Sequence, residues 1–187
     1  MSRSNWFVAL PVEAGGWWSR VPPAPPSVRL FDPSDLHVTV AFLGPVSEDA
    51  AHAAFEVAAQ WPAAALDVVL GPLRAMGNPR RASAFSSIVA DPQRVLAGAI
   101  TAVRGRMCEL AGARSDDRPP LPHVTIARPG RRADRAARDE ARQWLAGVDL
   151  GAPCVRLERI ALYTWSEDRS VRQFRTVGSI ELGDSPG

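Results

Sequence analysis

Short apolar runs broken by polar, proline and glycine stretches alternate along the chain with longer segments whose apolar residues recur at helical spacing. Trp6–Val12 (WFVALPV) is apolar throughout and predicts a buried strand. Gly15–Pro26 holds four prolines between Pro22 and Pro26 and predicts a loop of polyproline character, with Trp17 and Trp18 laid over the core. Val28–Phe31 predicts a short strand. Leu36–Leu43 (LHVTVAFL), rich in β-formers, predicts a central one. Ser47 followed by Glu48 and Asp49 is an N-cap with acids in the first turn. The helix it opens should run to about Trp61, with Ala51, Ala54, Phe55, Ala58 and Trp61 on one stripe and Pro62 as its stop.

Leu66–Leu73 and Ala84–Ala90 predict strands joined by a polar loop, GNPRRAS. Asp91-Pro92 reads as a second cap with proline at the first helical position. The helix beyond it carries Val95, Leu96, Ala99, Ile100, Val103, Met107 and Leu110 at helical spacing and ends at Gly112. Arg114–Pro122 is a polar, proline-rich loop, and His123–Arg128 (HVTIAR) a strand. Arg132–Ala146 predicts a helix with Ala133, Ala136, Ala137, Ala141, Trp144 and Leu145 inward and Gly147 as its stop. Val155–Trp165 and Arg172–Leu182 predict a closing strand pair joined by the turn Ser166–Arg169. Strands and helices intermix without strict alternation, which favours an α+β fold with largely antiparallel sheets.

Composition narrows the function. The chain has 187 residues, 46% of them apolar, enough for one domain or two small lobes sharing a core. All 22 basic residues are arginine. Without lysine there is no P-loop, no protein-kinase lysine and no Schiff-base chemistry. A genome-wide preference for Arg and Ala over Lys and Asn accounts for most of that bias. The net charge of +2 belongs to no polybasic tail. Three histidines and two distant cysteines, Cys108 and Cys154, build no zinc motif, so no metal and no cofactor are expected. No apolar run nears the roughly 18 residues of a membrane span. The opening residues make a poor signal peptide and a good first strand, so the expectation is a cytoplasmic monomer.

A repeat carries the chemistry. HVTVAFLGPVSEDAAHAAFEVAAQW begins at His37, and HVTIARPGRRADRAARDEARQW begins at His123. Each opens His-Val-Thr-aliphatic, has glycine seven residues after the His (Gly44, Gly130), and runs through a polar cap into an alanine-rich helix ending Gln-Trp. Side chains alternate along a strand, so His37 and Thr39 share one face, and so do His123 and Thr125. Val38, Val40, Val124 and Ile126 then face the core. Two such units meeting at one cleft would surround a single group with two imidazoles and two hydroxyls. That arrangement suits a phosphodiester: a neutral imidazole takes a proton from water, an imidazolium gives one to the leaving oxygen, and the hydroxyls hold the nonbridging oxygens. A lone His-x-Thr is usually a satisfied partly buried histidine; two matched copies using two of three histidines are not. His52 should lie on a solvated helix face. By the same alternation Phe42 is a core residue.

Paired H-x-T-x motifs in a two-lobed α+β domain spanning residues 1–187 resemble the 2H phosphoesterase superfamily. LHVTVAFLG and PHVTIARPG look like the two motifs of its RNA 2′,3′-cyclic phosphodiesterase branch, also called the 2′-5′ RNA ligase family. The opening strand and LERIALYTWSEDRSVRQFRTVGSIEL fall in the family's order, so the likeness covers nearly the whole chain. The resemblance implies a pseudo-twofold fold with a central cleft. It also implies metal-free hydrolysis of RNA or nucleotide 2′,3′-cyclic phosphates to 2′-phosphates, and the reverse, ATP-independent 2′-5′ ligation. His37 would match the general acid and His123 the general base, an assignment that can be exchanged. Thr39 and Thr125 would bind phosphate. Arg128 follows the second motif as an arginine often does in the family, where it would contact the substrate phosphate; alternation turns it to the face opposite His123, so it either reaches the cleft through a strand end or bulge or is an ordinary surface arginine. Relatives also act on 2′-5′ oligoadenylate and ADP-ribose cyclic phosphate, and a non-catalytic RNA binder would keep the same motifs. The arginines of Asn78–Arg81 and Arg131–Arg142 could track RNA, although the acids among the second group make it read as a solvated helix face. Tyr163 and Trp165 could stack bases or pack in the core. One departure is plain: family members follow the first strand with a proper helix, which Glu13–Pro26 is too short and proline-rich to form.

Overall fold

The computed structural model describes residues 4–78, 81–130 and 133–183. In chain order its elements are β1 (Trp6–Pro11), β2 (Val28–Leu30), β3 (His37–Gly44), α1 (Glu48–Phe55), β4 (Leu66–Asn78), β5 (Arg81–Ala90), α2 (Val95–Ala111), β6 (His123–Pro129), α3 (Arg135–Gly147), β7 (Cys154–Leu157), β8 (Arg159–Trp165) and β9 (Phe174–Glu181). The strands make one curled antiparallel sheet in the order β7-β4-β5-β6-β3-β1-β8-β9, with β2 added to β6. The two motif strands, β3 and β6, are its centre and pair at Val38–Val124. Further strands flank that pair on both sides, so the sequence repeat appears as two half-sheets. The α+β antiparallel expectation therefore holds.

The main core lies between the sheet and the helices α1 and α2. Val8, Leu10, Val38, Val40, Val124, Ile126, Ile160 and Leu162 come from the strands, and Ala51, Ala54, Leu96, Ile100 and Met107 from the helices. Each large side chain so buried contributes about 1.5–3 kcal/mol. Val95 and Leu110 lie at the ends of the α2 stripe and stay exposed. A second cluster joins Val28, Phe85, Ala127 and Ala141, with Trp144 and Leu145 of α3 against it. The Trp144 indole N–H donates to the Pro23 carbonyl (3.2 Å), which ties the proline-rich segment to α3. That segment contains one short 3₁₀ turn, Gly16–Arg20, and buries Trp17 in the main core.

Several boundaries differ from the expectation. The α1 helix is capped by the Ser47 hydroxyl, which accepts from the Ala50 N–H (3.3 Å), but it tightens into a 3₁₀ turn at Glu56–Gln60 instead of continuing as α-helix. Asp91 does cap α2, from further back than expected. Its carboxylate accepts from the N–H groups of Leu96 (3.2 Å) and Ala97 (2.8 Å), while Arg94 takes a left-handed conformation, so Pro92 sits in the lead-in turn. In α3 the cap is Asp134, bonded to the Ala137 N–H (2.8 Å); Gly147 lies inside the last turn and Ala136 faces solvent. Arg132, the expected start, lies outside the described residues. Most of the expected GNPRRAS loop is strand, because the β4–β5 ladder runs out to Asn78 and Arg81; Pro79 and Arg80 lie outside the described residues. The expected strand Val155–Trp165 divides at Glu158. Cys154–Leu157 pairs with β4 in one half-sheet, and Arg159–Trp165 pairs with β1 and β9 in the other.

Candidate active site

Because Val38 and Val124 face each other across the central pair, His37 stands beside Thr125 and Thr39 beside His123. The valines and Ile126 that alternate with them are buried in the main core, which fixes the opposite face toward the cleft. The two imidazoles are held alike. His37 Nδ1 lies 2.7 Å from the Asp35 carbonyl, and His123 Nδ1 lies 2.7 Å from the Leu121 carbonyl, each two residues back. A carbonyl only accepts, so Nδ1 carries the proton in both rings and Nε2 is left for chemistry. Thr39 is exposed and Thr125 half-buried, its hydroxyl 3.1 Å from that of the fully buried Ser86.

Aromatic rings wall His37. Its centroid lies 4.9 Å from Phe7, 5.6 Å from Phe174 and 5.9 Å from Tyr163, and Phe7 stacks on Tyr163 (5.0 Å). Burial among these rings pulls the His37 pKa down to about 4, helped by the charges of His123 and Arg128 and opposed by the bond to the Asp35 carbonyl. At neutral pH His37 is therefore unprotonated in the free protein. Asp35 is 2% exposed, and its carboxylate accepts from the backbone N–H groups of Gln173 (2.7 Å) and Phe174 (3.0 Å). Burial raises its pKa, and those two bonds counter the rise. One residue thus holds the His37 ring through its carbonyl and the start of β9 through its side chain.

Both motif strands bulge at the same place. Against β1, Thr39 pairs with Ala9 and Ala41 with Val8, so Val40 has no opposite residue. Against β5, Thr125 pairs with Ser86 and Ala127 with Phe85, so Ile126 has none. One extra residue reverses the alternation beyond it. Phe42 is accordingly 58% exposed, not a core residue, and Leu43 is buried in its place. Arg128 likewise does not face away from the cleft. It is exposed, its guanidinium lies 5.4 Å from the Phe31 ring centroid, and its charge acts on His37.

A cavity of about 850 Å³ lies beside the histidines, bordered by Phe31, Arg128 and Gln173; neither histidine lines it. Arg138 and Arg142 of α3 also line it, so this helix face does more than meet solvent. Arg131 and Arg132 lie outside the described residues. Trp165 lines the cavity with the Arg169 guanidinium 4.3 Å from its ring, whereas Tyr163 is buried. His52 is on the exposed face of α1, near Glu48. Among the described residues no group of three or more His, Cys, Asp or Glu is placed to hold a metal ion, and no helix is long and apolar enough to cross a membrane. Asp35, Ser86, Phe7 and Phe174 are the site residues that sequence reasoning missed. The Ser86-Ser87 pair inside an apolar strand was a readable signal. Phe7 offered none, because β1 is apolar on both faces.

Comparison with known proteins agrees with this architecture. The model of the 2′-5′ RNA ligase superfamily matches residues 19–169. E. coli LigT complexed with NADP+ superposes with a TM-score of 0.69 at 20% identity, covering 98% of this chain and 100% of that one. A structure described as a phosphoesterase gives 0.69 at 21% identity, with 97% and 99% covered. TT0787 of Thermus thermophilus gives 0.65 at 17% identity, with 97% and 100% covered. No curated protein sequence matches significantly. The family match over most of the chain, together with the shared fold, supports chemistry of the phosphoesterase or RNA-ligase type, and the chain is a member of the 2′-5′ RNA ligase superfamily of 2H phosphoesterases.

Proposed function

We propose that this protein hydrolyses the 2′,3′-cyclic phosphate of an RNA end or nucleotide to a 2′-phosphate, using His37 and His123 as its proton-transfer pair. The observation that carries this reading is the matched pair of imidazoles, each fixed through Nδ1 at 2.7 Å to a backbone carbonyl and each beside a threonine of the partner motif. Water attacks phosphorus, one Nε2 accepts its proton, the bond from phosphorus to the 3′ oxygen breaks, and the other ring protonates that oxygen. Thr39, Thr125 and Arg128 hold the nonbridging oxygens, a stabilisation that matters most as charge builds in the transition state. The same proton transfers with a 5′-hydroxyl in place of water join the cyclic phosphate to it, the 3′ oxygen again leaving, and give a 2′-5′ linkage without ATP. Within the same fold, E. coli LigT has been crystallised with 3′-AMP and with NADP+, which is consistent with a nucleotide as ligand.

His37 starts neutral, the form of a base. To act as the acid it must take up its proton together with the anionic substrate. In either role kcat/KM falls as pH drops below about 4, because one ring of the pair must stay unprotonated to take the proton of water, so the pH profile alone does not separate acid from base. The test is turnover of 2′,3′-cyclic mononucleotides, a cyclic-ended RNA oligomer and 2′-5′ linked oligoadenylate, in excess chelator, with the product phosphate located. His37→Ala and His123→Ala should each lower kcat by about two to four orders of magnitude. Full activity in either variant sinks the mechanism, and binding without turnover across the panel sinks the enzymatic reading.

A further inference from the structure

The cavity beside the histidines gathers six arginines, Arg29, Arg81, Arg128, Arg138, Arg142 and Arg169, and no acid among its described lining residues. They come from β2, β5, β6, α3 and the loop before β9. Their placement is costly. Arg29 and Arg128 are registered opposite each other across β2 and β6, where like charges repel. Arg138 and Arg142 stand four residues apart on α3, again a like-charged pair; Asp139 bonds Arg142 (2.7 Å) from outside the cavity lining. Arg29 and Arg169 are held in position as well. Arg29 donates to the Arg169 carbonyl (3.3 Å), and the Arg169 guanidinium lies 4.3 Å from the Trp165 ring centroid. Guanidinium groups converging from five segments repel one another, and a bound polyanion relieves that repulsion. Arg128 connects the two sites, since it lines the cavity while its charge reaches His37.

We propose that this arginine chamber binds a second, unreacting phosphate of the substrate and so favours ligands with two phosphates over a bare cyclic mononucleotide. The chemistry recognised is a phosphate one group removed from the reacting one, either the internal phosphodiester of an RNA chain or the 5′-phosphate of a nucleotide. This rests on the phosphodiesterase reading of the histidine site, but its test does not need turnover. Calorimetric binding is measured with three product-like probes: 2′-AMP, adenosine 2′,5′-bisphosphate, and the adenosine dinucleotide ending in a 2′-phosphate. The wild-type protein should bind at least one two-phosphate probe about tenfold more tightly than 2′-AMP. Arg138→Ala combined with Arg142→Ala, a half-buried and an exposed position on α3, should remove most of that advantage, and Arg138→Lys with Arg142→Lys should keep more of it. For the dinucleotide, the dependence of log affinity on log salt should weaken by about 0.7 for each phosphate no longer neutralised. An advantage confined to the dinucleotide identifies the internal phosphodiester, and one confined to the bisphosphate identifies the 5′-phosphate; either supports the chamber. Equal affinity for all three probes, or an advantage untouched in a folded alanine variant, overturns it. Retained arginine-dependent binding in a protein that hydrolyses no cyclic phosphate would sink the proposed activity while leaving the chamber standing.

Discussion

At the scale of residues, the site depends on how a few polar atoms are held. The lowered pKa of His37 is a statement first about burial among Phe7, Phe174 and Tyr163 and then about the nearby Arg128 and His123. An NMR titration of the imidazole should find its midpoint near 4, and Arg128→Gln should raise it by removing one repelling charge. An unmoved midpoint would mean that Arg128 does not face the cleft. The native ring resists a proton that the unfolded chain accepts at the ordinary 6.5, so this contribution to stability is intact above that pH and is lost as pH falls from 6.5 toward 4. Asp35 makes the second residue-scale prediction. Asp35→Ala strands two backbone N–H groups, at Gln173 and Phe174, and should cost about 2 kcal/mol or more of stability by chemical denaturation. Releasing Phe174 from the His37 ring should also shift the acid limb of the pH profile. A loss of stability with an unchanged limb would leave Asp35 a purely structural group.

At the scale of elements, caps and bulges decide more than propensity. Asp91 satisfies two N–H groups of the first turn of α2, so Asp91→Ala should cost about 1–2 kcal/mol, read as an earlier unfolding midpoint at an unchanged denaturant slope. The histidines, threonines and buried aliphatics of both motifs were legible because alternation holds from His37 to Val40 and from His123 to Ile126. Phe42 was misplaced, and Arg128 was left open between two faces, because each lies just past a bulge. A bulge is a property of how a strand pairs with its neighbour, and one strand's residues do not announce it. The GNPRRAS segment was misjudged for a related reason: a backbone ladder continues through polar residues when their side chains face water.

At the scale of the whole molecule, the two halves form one unbroken sheet over one main core, so they should unfold together. Leu162→Ala, at a fully buried position in β8, should cost about 2–5 kcal/mol and lower Tm by about 2–4 °C per kcal/mol. Loss of His123-side structure should coincide with loss of the His37 side by fluorescence and circular dichroism; separate transitions would show independent lobes. The amino-acid sequence by itself determined that there are two matched strand–helix units, which faces their histidines and threonines take, and that the class is α+β, because periodicity and repetition are local and countable. Only the tertiary structure decided that β3 and β6 meet at Val38–Val124, that the chain changes half-sheets at Glu158, and that Phe7, Asp35 and Phe174 enclose His37. It also decided that six arginines scattered from Arg29 to Arg169 line one chamber. Those are long-range juxtapositions, set by strand pairing and by burial of a shared core, and no window along the chain contains both partners.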